Sequence, residues 1–161
     1  MFTNIVWATD GSDHADRALD YATKLARSEG ATLHAVHVVE KLVGSRLAGK
    51  NVFLGETEID VKIKVQTAAL NEGGVPATLH MTPAASTHVA EQISEVADSI
   101  GADLIVVGTR GHSALVGALI GSVTQRLLHL THCPVLAIPP SRTVAVADDA
   151  ASLPEAVTPA G

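Results

Sequence analysis

Short apolar runs of strand length alternate with longer amphipathic stretches along almost the whole chain. Asn4–Ala8, Thr32–Val39, Ala77–Met81, Asp103–Val107 and Val135–Ile138 read as strands. Ala15, Ala18, Leu19, Ala22, Leu25 and Ala26 recur at helical spacing in the first intervening segment, opened by Ser12 or Asp13 and ended by Gly30. A second helix, about Glu56–Glu72, places Ile59, Ile63 and Leu70 on one side before Gly73-Gly74 stops it. Ser86 or Thr87 caps a third, with Val89, Ile93, Val96, Ala97 and Ile100 at helical spacing, and a fourth lies near Ser122–Thr131. Thr82-Pro83 reads as a turn, and Glu40–Gly55 is less regular. Strict β/α alternation with apolar strands dictates an α/β fold: one open five-stranded parallel sheet, Rossmann-like, with helices on both faces.

Composition narrows the function. The chain has 161 residues, enough for one full-sized core, and only 2% are aromatic (Phe2, Trp7, Tyr21 and Phe53) against 47% hydrophobic. The core must therefore be built from Val, Ile, Leu and Ala, as where helices cover a buried sheet. Few stacking rings and a net charge of −6 argue against a nucleic-acid platform. Met1–Ala8 lacks a signal peptide's basic segment, and no apolar run approaches the roughly 20 residues that span a bilayer, so no membrane association is expected. The single Cys133 cannot form an internal disulfide, fits a cytoplasmic location, and is expected to be a buried structural residue. Residues 1–140 form the folded domain, closed by Pro139-Pro140, and 141–161 read as a flexible tail.

The fourth strand runs into Gly108-Thr-Arg-Gly111, and Gly121-Ser122 opens the following helix. Glycines at a strand exit allow positive φ and bring bare amides close to a ligand. A helix start adds free N–H groups and the positive end of the dipole. These parts suit a phosphate cradle. Parallel sheets bind ligands at the carboxyl ends of strands where the strand order reverses, so a second strand end should lie beside this loop. Ala8-Thr-Asp-Gly-Ser12, at the exit of strand one, is polar, glycine-containing and acidic.

With both loops considered, the chain resembles the universal stress protein family, in its ATP-binding branch. The matching residues are Val6-x-Ala8-Thr9-Asp10-Gly11-Ser12, Val106-Val107-Gly108-Thr109-Arg110-Gly111, Gly121-Ser122-Val123 and Cys133-Pro134-Val135-Leu136-Ala137-Ile138. The resemblance covers residues 2–139 and implies strand order 3-2-1-4-5, with the switch between strands one and four. It implies ATP with Mg²⁺ as cofactors: Gly108, Gly111, Gly121 and Ser122 hold the triphosphate, and Val123 and Thr124 offer amides. Ala8 and Thr9 present main-chain groups to adenine, while Val38 and Val39 form an apolar wall; Val107 belongs to the same set. Arg110 neutralises phosphate charge or simply faces solvent. Asp10 supports Mg²⁺ or the ribose, or else caps the first helix. The family's homodimers pair fifth strands, here Val135–Ile138, which would cover an apolar sheet edge.

The chain lacks the P-loop, dinucleotide and hydrolase signatures. Asp10 and Arg110 are parts of a phosphoryl-transfer site without an assembled constellation. A nucleotide-dependent regulatory or stress-response module is the leading reading; a slow ATPase and an AMP or cyclic AMP binder are the alternatives. His34 and His37 lie three apart in a strand, so they face opposite ways and cannot share an ion. His129 and His132 suit a helix C-terminus, and His112, beside Gly111, faces either phosphate or water.

Overall fold

A computed structural model of the protein describes residues 1–40, 57–111 and 120–141. The stretch 41–55, His112 and all of the expected tail after Ser141 lie outside the described residues. The strands are β1 (Asn4–Thr9), β2 (Thr32–Glu40), β3 (Ala77–Ala84), β4 (Leu104–Gly108) and β5 (Val135–Ile138). Helices α1 (Asp13–Glu29), α2 (Glu58–Glu72), α3 (Val89–Ser99) and α4 (Ser122–Leu130) lie between them. All pairings are parallel, in the order β3-β2-β1-β4-β5, so the order reverses between β1 and β4.

Successive strand residues face opposite ways, and both faces are apolar. Ile5, Trp7, Leu33, Ala35 and Val106 pack against α1 and α2, whereas Val6, Ala8, Val36, Ile105 and Val107 pack against α3 and α4. The buried stripe of α1 is entirely alanine: Ala15, Ala18, Ala22 and Ala26. Trp7 is fully buried, and its indole donates to the carbonyl of Ala15 at 2.9 Å. That bond satisfies the ring's one polar group, leaving the burial of its large apolar surface as net stabilisation.

Several boundaries differ from the sequence reading. β3 continues through Thr82-Pro83 to Ala84, pairing Val39 with Pro83. It is an edge strand, where a proline's missing donor is tolerated. α2 starts at Glu58 because Thr57 and Asp60 form a reciprocal capping box. α3 has no side-chain cap; its N-cap is His88, and Ser86 and Thr87 belong to a preceding 3-10 turn. Cys133 is half-buried, with its thiol 3.4 Å from the Thr131 hydroxyl.

Candidate functional site

A cleft of about 400 Å³ lies over the carboxyl ends of β1 and β4, within the range typical of small-ligand sites. Ala8, Thr9 and Asp10 line it from β1, and Val38 from β2. Val107, Gly108, Arg110 and Gly111 contribute from β4 and its exit. Gly121, Ser122, Val123 and Thr124 bring the first turn of α4 to the same cavity. Val39 is the exception: it is the strand neighbour of Val38 and so faces the other side of the sheet. Three further residues line the cleft that helical spacing in the sequence assigns only to helix cores: Ala15, Val89 and Ile93, the last two supplying apolar wall from α3.

The glycines of this cleft serve close approach rather than unusual backbone torsion. Positive φ occurs at Gly11, Gly30, Gly74 and Gly101, not at Gly108, Gly111 or Gly121. A Cβ on Gly108 would stand 2.9 Å from the carbonyl oxygen of His14 and 3.0 Å from that of Arg110. On Gly111 a methyl would collide with Asp10 Oδ2, and on Gly121 it would press on the Thr109 carbonyl at 3.3 Å. The loop therefore runs tightly against the β1 exit, and a side chain at Gly111 would require the Asp10 carboxylate to move.

Two bonds fix the start of α4 on the end of β4. The Gly121 amide donates to the Thr109 carbonyl at 2.6 Å, and the Thr124 hydroxyl donates to the Gly108 carbonyl at 2.8 Å. No side chain caps α4, whose N-cap is Gly121. Its first-turn amides consequently meet the cleft without a competing side-chain acceptor. Arg110 Nε is buried and has no partner among the described residues. An anion with several oxygens fits this donor set.

Asp10 is not the cap of α1. That role belongs to Ser12, whose hydroxyl accepts from the Ala15 amide at 3.3 Å. Asp10 Oδ1 accepts from the Ser12 amide at 3.0 Å, forming an Asx turn, and Oδ2 lies against Gly111. It is the only carboxylate among the described residues that line the cleft.

The β1 exit is gripped from behind by α2. Lys62 Nζ donates to the Gly11 carbonyl at 2.7 Å and pairs with Asp16 at 2.6 Å. His37 Nδ1 donates to the Thr9 carbonyl at 2.9 Å, and its Nε2 stands 3.4 Å from Asp60 Oδ1. Burial works against ionisation of Asp60, but hydrogen bonds from Thr57 and the positive charges of His37 and Lys64 outweigh it and hold its pKa below the ordinary carboxylate value. His37 thus serves the fold of this loop. At the far end of the molecule His132 pairs loosely with Asp98, 3.5 Å away on the surface. Among the described residues no three His, Cys, Asp or Glu side chains cluster as metal ligands, and no helix is long and apolar enough to cross a membrane.

The fold agrees with what the chain is similar to. The model of the universal stress protein family matches residues 1–139. Universal stress protein YxiE of Bacillus subtilis is 34% identical over 147 residues, covering 86% of this chain and 99% of YxiE. The solved structure of MJ0577 from Methanocaldococcus jannaschii superposes with a TM-score of 0.72 at 21% identity, covering 89% of this chain and 99% of that one, and so shares the fold. A universal stress protein crystallised in complex with cyclic AMP has a TM-score of 0.61 at 25% identity, covering 85% and 96% of the two chains. With the sheet order, the family match over residues 1–139 and the 34% identity to YxiE in agreement, the chain belongs to the universal stress protein family.

Proposed function

We propose that the chain binds ATP with Mg²⁺ in this cleft, as a regulatory or stress-response module rather than a fast enzyme. The carrying observation is the convergence of the glycine-lined β4 exit, the uncapped start of α4 and Asp10 on one cavity. The amides of Ser122, Val123 and Thr124, with Arg110, would hold the phosphates. The main chain of Ala8 and Thr9 would meet adenine, and Val38, Val89 and Ile93 would cover the ring's apolar faces. A single carboxylate suits Mg²⁺ together with phosphate oxygens, because this ion keeps several waters and takes few protein ligands. Metal binding at Asp10 should therefore depend on the nucleotide.

A second reading, an AMP or cyclic AMP binder, is favoured by the relative that was crystallised with cyclic AMP. The two share the adenine wall and differ in phosphate contacts. We also propose a homodimer through β5, an edge strand whose Val135, Leu136 and Ala137 are half-exposed. The test is to denature purified protein and identify released nucleotide by mass spectrometry, followed by competition calorimetry among ATP, AMP and cyclic AMP. Release of ATP and its tighter binding support the first reading. Cyclic AMP binding far more tightly than ATP replaces it with the second, and no binding of any adenine nucleotide rejects both.

A further inference from the structure

On the sheet face covered by α3 and α4, two partly exposed histidines meet. Val36 pairs with His80 across β2 and β3, which puts His80 on the face of Val36 and one pleat from His34. His34 Nδ1 lies 3.1 Å from His80 Nε2, with ring centres 5.3 Å apart and planes tilted by 38°. On its other side, His34 Nε2 lies 3.2 Å from Oδ1 of Asn4. An amide oxygen only accepts, so His34 carries its proton on Nε2 and turns the Nδ1 lone pair toward His80. His80 donates from Nε2 in the metal-free pair. Moving that proton to its own Nδ1 gives a second lone pair beside the first, with no proton lost.

We propose that His34 and His80 form a binding site for a divalent transition-metal ion that prefers imidazole, such as Zn²⁺, Ni²⁺ or Cu²⁺. Two imidazole nitrogens at about 2.05 Å from one tetrahedral zinc stand about 3.3 Å apart, and a right-angled pair on a square-planar ion about 2.9 Å apart. The observed 3.1 Å lies between these values, so the two nitrogens already stand at a chelating separation, and each ring must turn its lone pair roughly 40° off the line between them to share an ion. Asn4 is the outer partner that a metal-binding histidine ordinarily requires, since it fixes the tautomer and orientation of His34. No third His, Cys, Asp or Glu joins the pair among the described residues, so water completes the coordination and the ion is exchangeable. The pair stands apart from the nucleotide cleft: His34 is four residues upstream of Val38, roughly 13 Å along the strand. The proposal is independent of nucleotide binding.

The experiment is calorimetric titration of zinc chloride into the full chain, without nucleotide, for wild type, His80→Gln and Asn4→Ala. Thermal melts in EDTA confirm that each variant is folded. The expected result is one saturable site in wild type, weakened at least tenfold in His80→Gln and about tenfold in Asn4→Ala. Imidazole nitrogen NMR on wild type supplies a readout that needs no variant: substoichiometric zinc should move the His34 Nδ1 and His80 Nε2 resonances first. Equal zinc affinity in wild type and His80→Gln, or first shifts at other histidines, overturns the proposal.

Discussion

Replacing Gly121 by Asp should separate nucleotide binding from stability. Gly121 has φ −69° and ψ 157°, an extended conformation open to any residue. Among the described residues a Cβ there meets the Thr109 carbonyl at 3.3 Å and Arg110 Cα at 3.7 Å, so a side chain fits after a shift of a few tenths of an ångström. Asp is a better N-cap than Gly by a few tenths of a kcal/mol, which offsets the tight contact. The melting temperature should stay within about 2 °C of wild type. Binding should respond differently. An N-cap carboxylate accepts from the amides of the second and third helical residues, here Val123 and Thr124, which are those assigned to phosphate. It also brings a negative charge to about 5 Å from the phosphates, worth roughly 3 kcal/mol of repulsion at an effective dielectric constant of about 20. ATP affinity, measured by calorimetry, should fall at least about 100-fold. Gly121→Asn fills the same amides without the charge and should lose about tenfold. ATP binding by Gly121→Asp at wild-type affinity would refute the placement of phosphate at α4. A large drop in melting temperature would refute the claim that this glycine serves ligand approach rather than the fold.

Thr124→Val removes the hydroxyl that satisfies the buried Gly108 carbonyl. It should cost about 1–3 kcal/mol in a denaturant melt and weaken ATP as the cradle loosens. Lys62→Met breaks the bonds to Gly11 and Asp16 on a half-exposed pair, so calorimetry should show ATP affinity falling several-fold while stability changes by less than about 1 kcal/mol. Asp103 accepts from the Thr3 hydroxyl and from the Asn4 and Thr3 amides, which hold its pKa down at about 2 against an ordinary 3.8. A carboxylate depressed in the folded state stabilises it above the unfolded value and loses that contribution as the pH falls through the folded value. Denaturant melts should accordingly show wild type losing its margin over Asp103→Asn as the pH falls from 3.8 toward about 2.

The sheet was legible because its runs are apolar on both faces and each helix keeps an apolar stripe, so periodicity alone separates the two. The cleft was legible because Ala8–Ser12 and Gly108–Gly111 are the polar, glycine-bearing exits that a switch point brings together. Val39 does not line the cleft: next to Val38 in β2, it turns its side chain to the other face of the sheet, an alternation that the sequence already implies. Other features needed tertiary knowledge. Nothing near Lys62 or Asp60 in sequence announces a grip on Gly11 and Thr9, because the contact depends on how α2 lies behind β1. His34 and His80 are 46 residues apart, and only the β2–β3 register shows that they touch. Of the two roles that glycines at a strand exit can play, positive φ and close approach, the cleft glycines show only the second: a side chain at Gly111 would have to displace the Asp10 carboxylate.

The most direct measurement is an amide NMR titration of the wild-type protein with ATP and Mg²⁺. A nucleotide held as proposed should saturate one site per chain and shift the amides of Thr9, Asp10, Gly108, Gly111 and Ser122–Thr124 most strongly. Trp7, whose indole is bonded to cleft-lining Ala15, should report the same midpoint by fluorescence. Saturable binding that leaves these amides unmoved, or no binding at millimolar nucleotide, would contradict the nucleotide site.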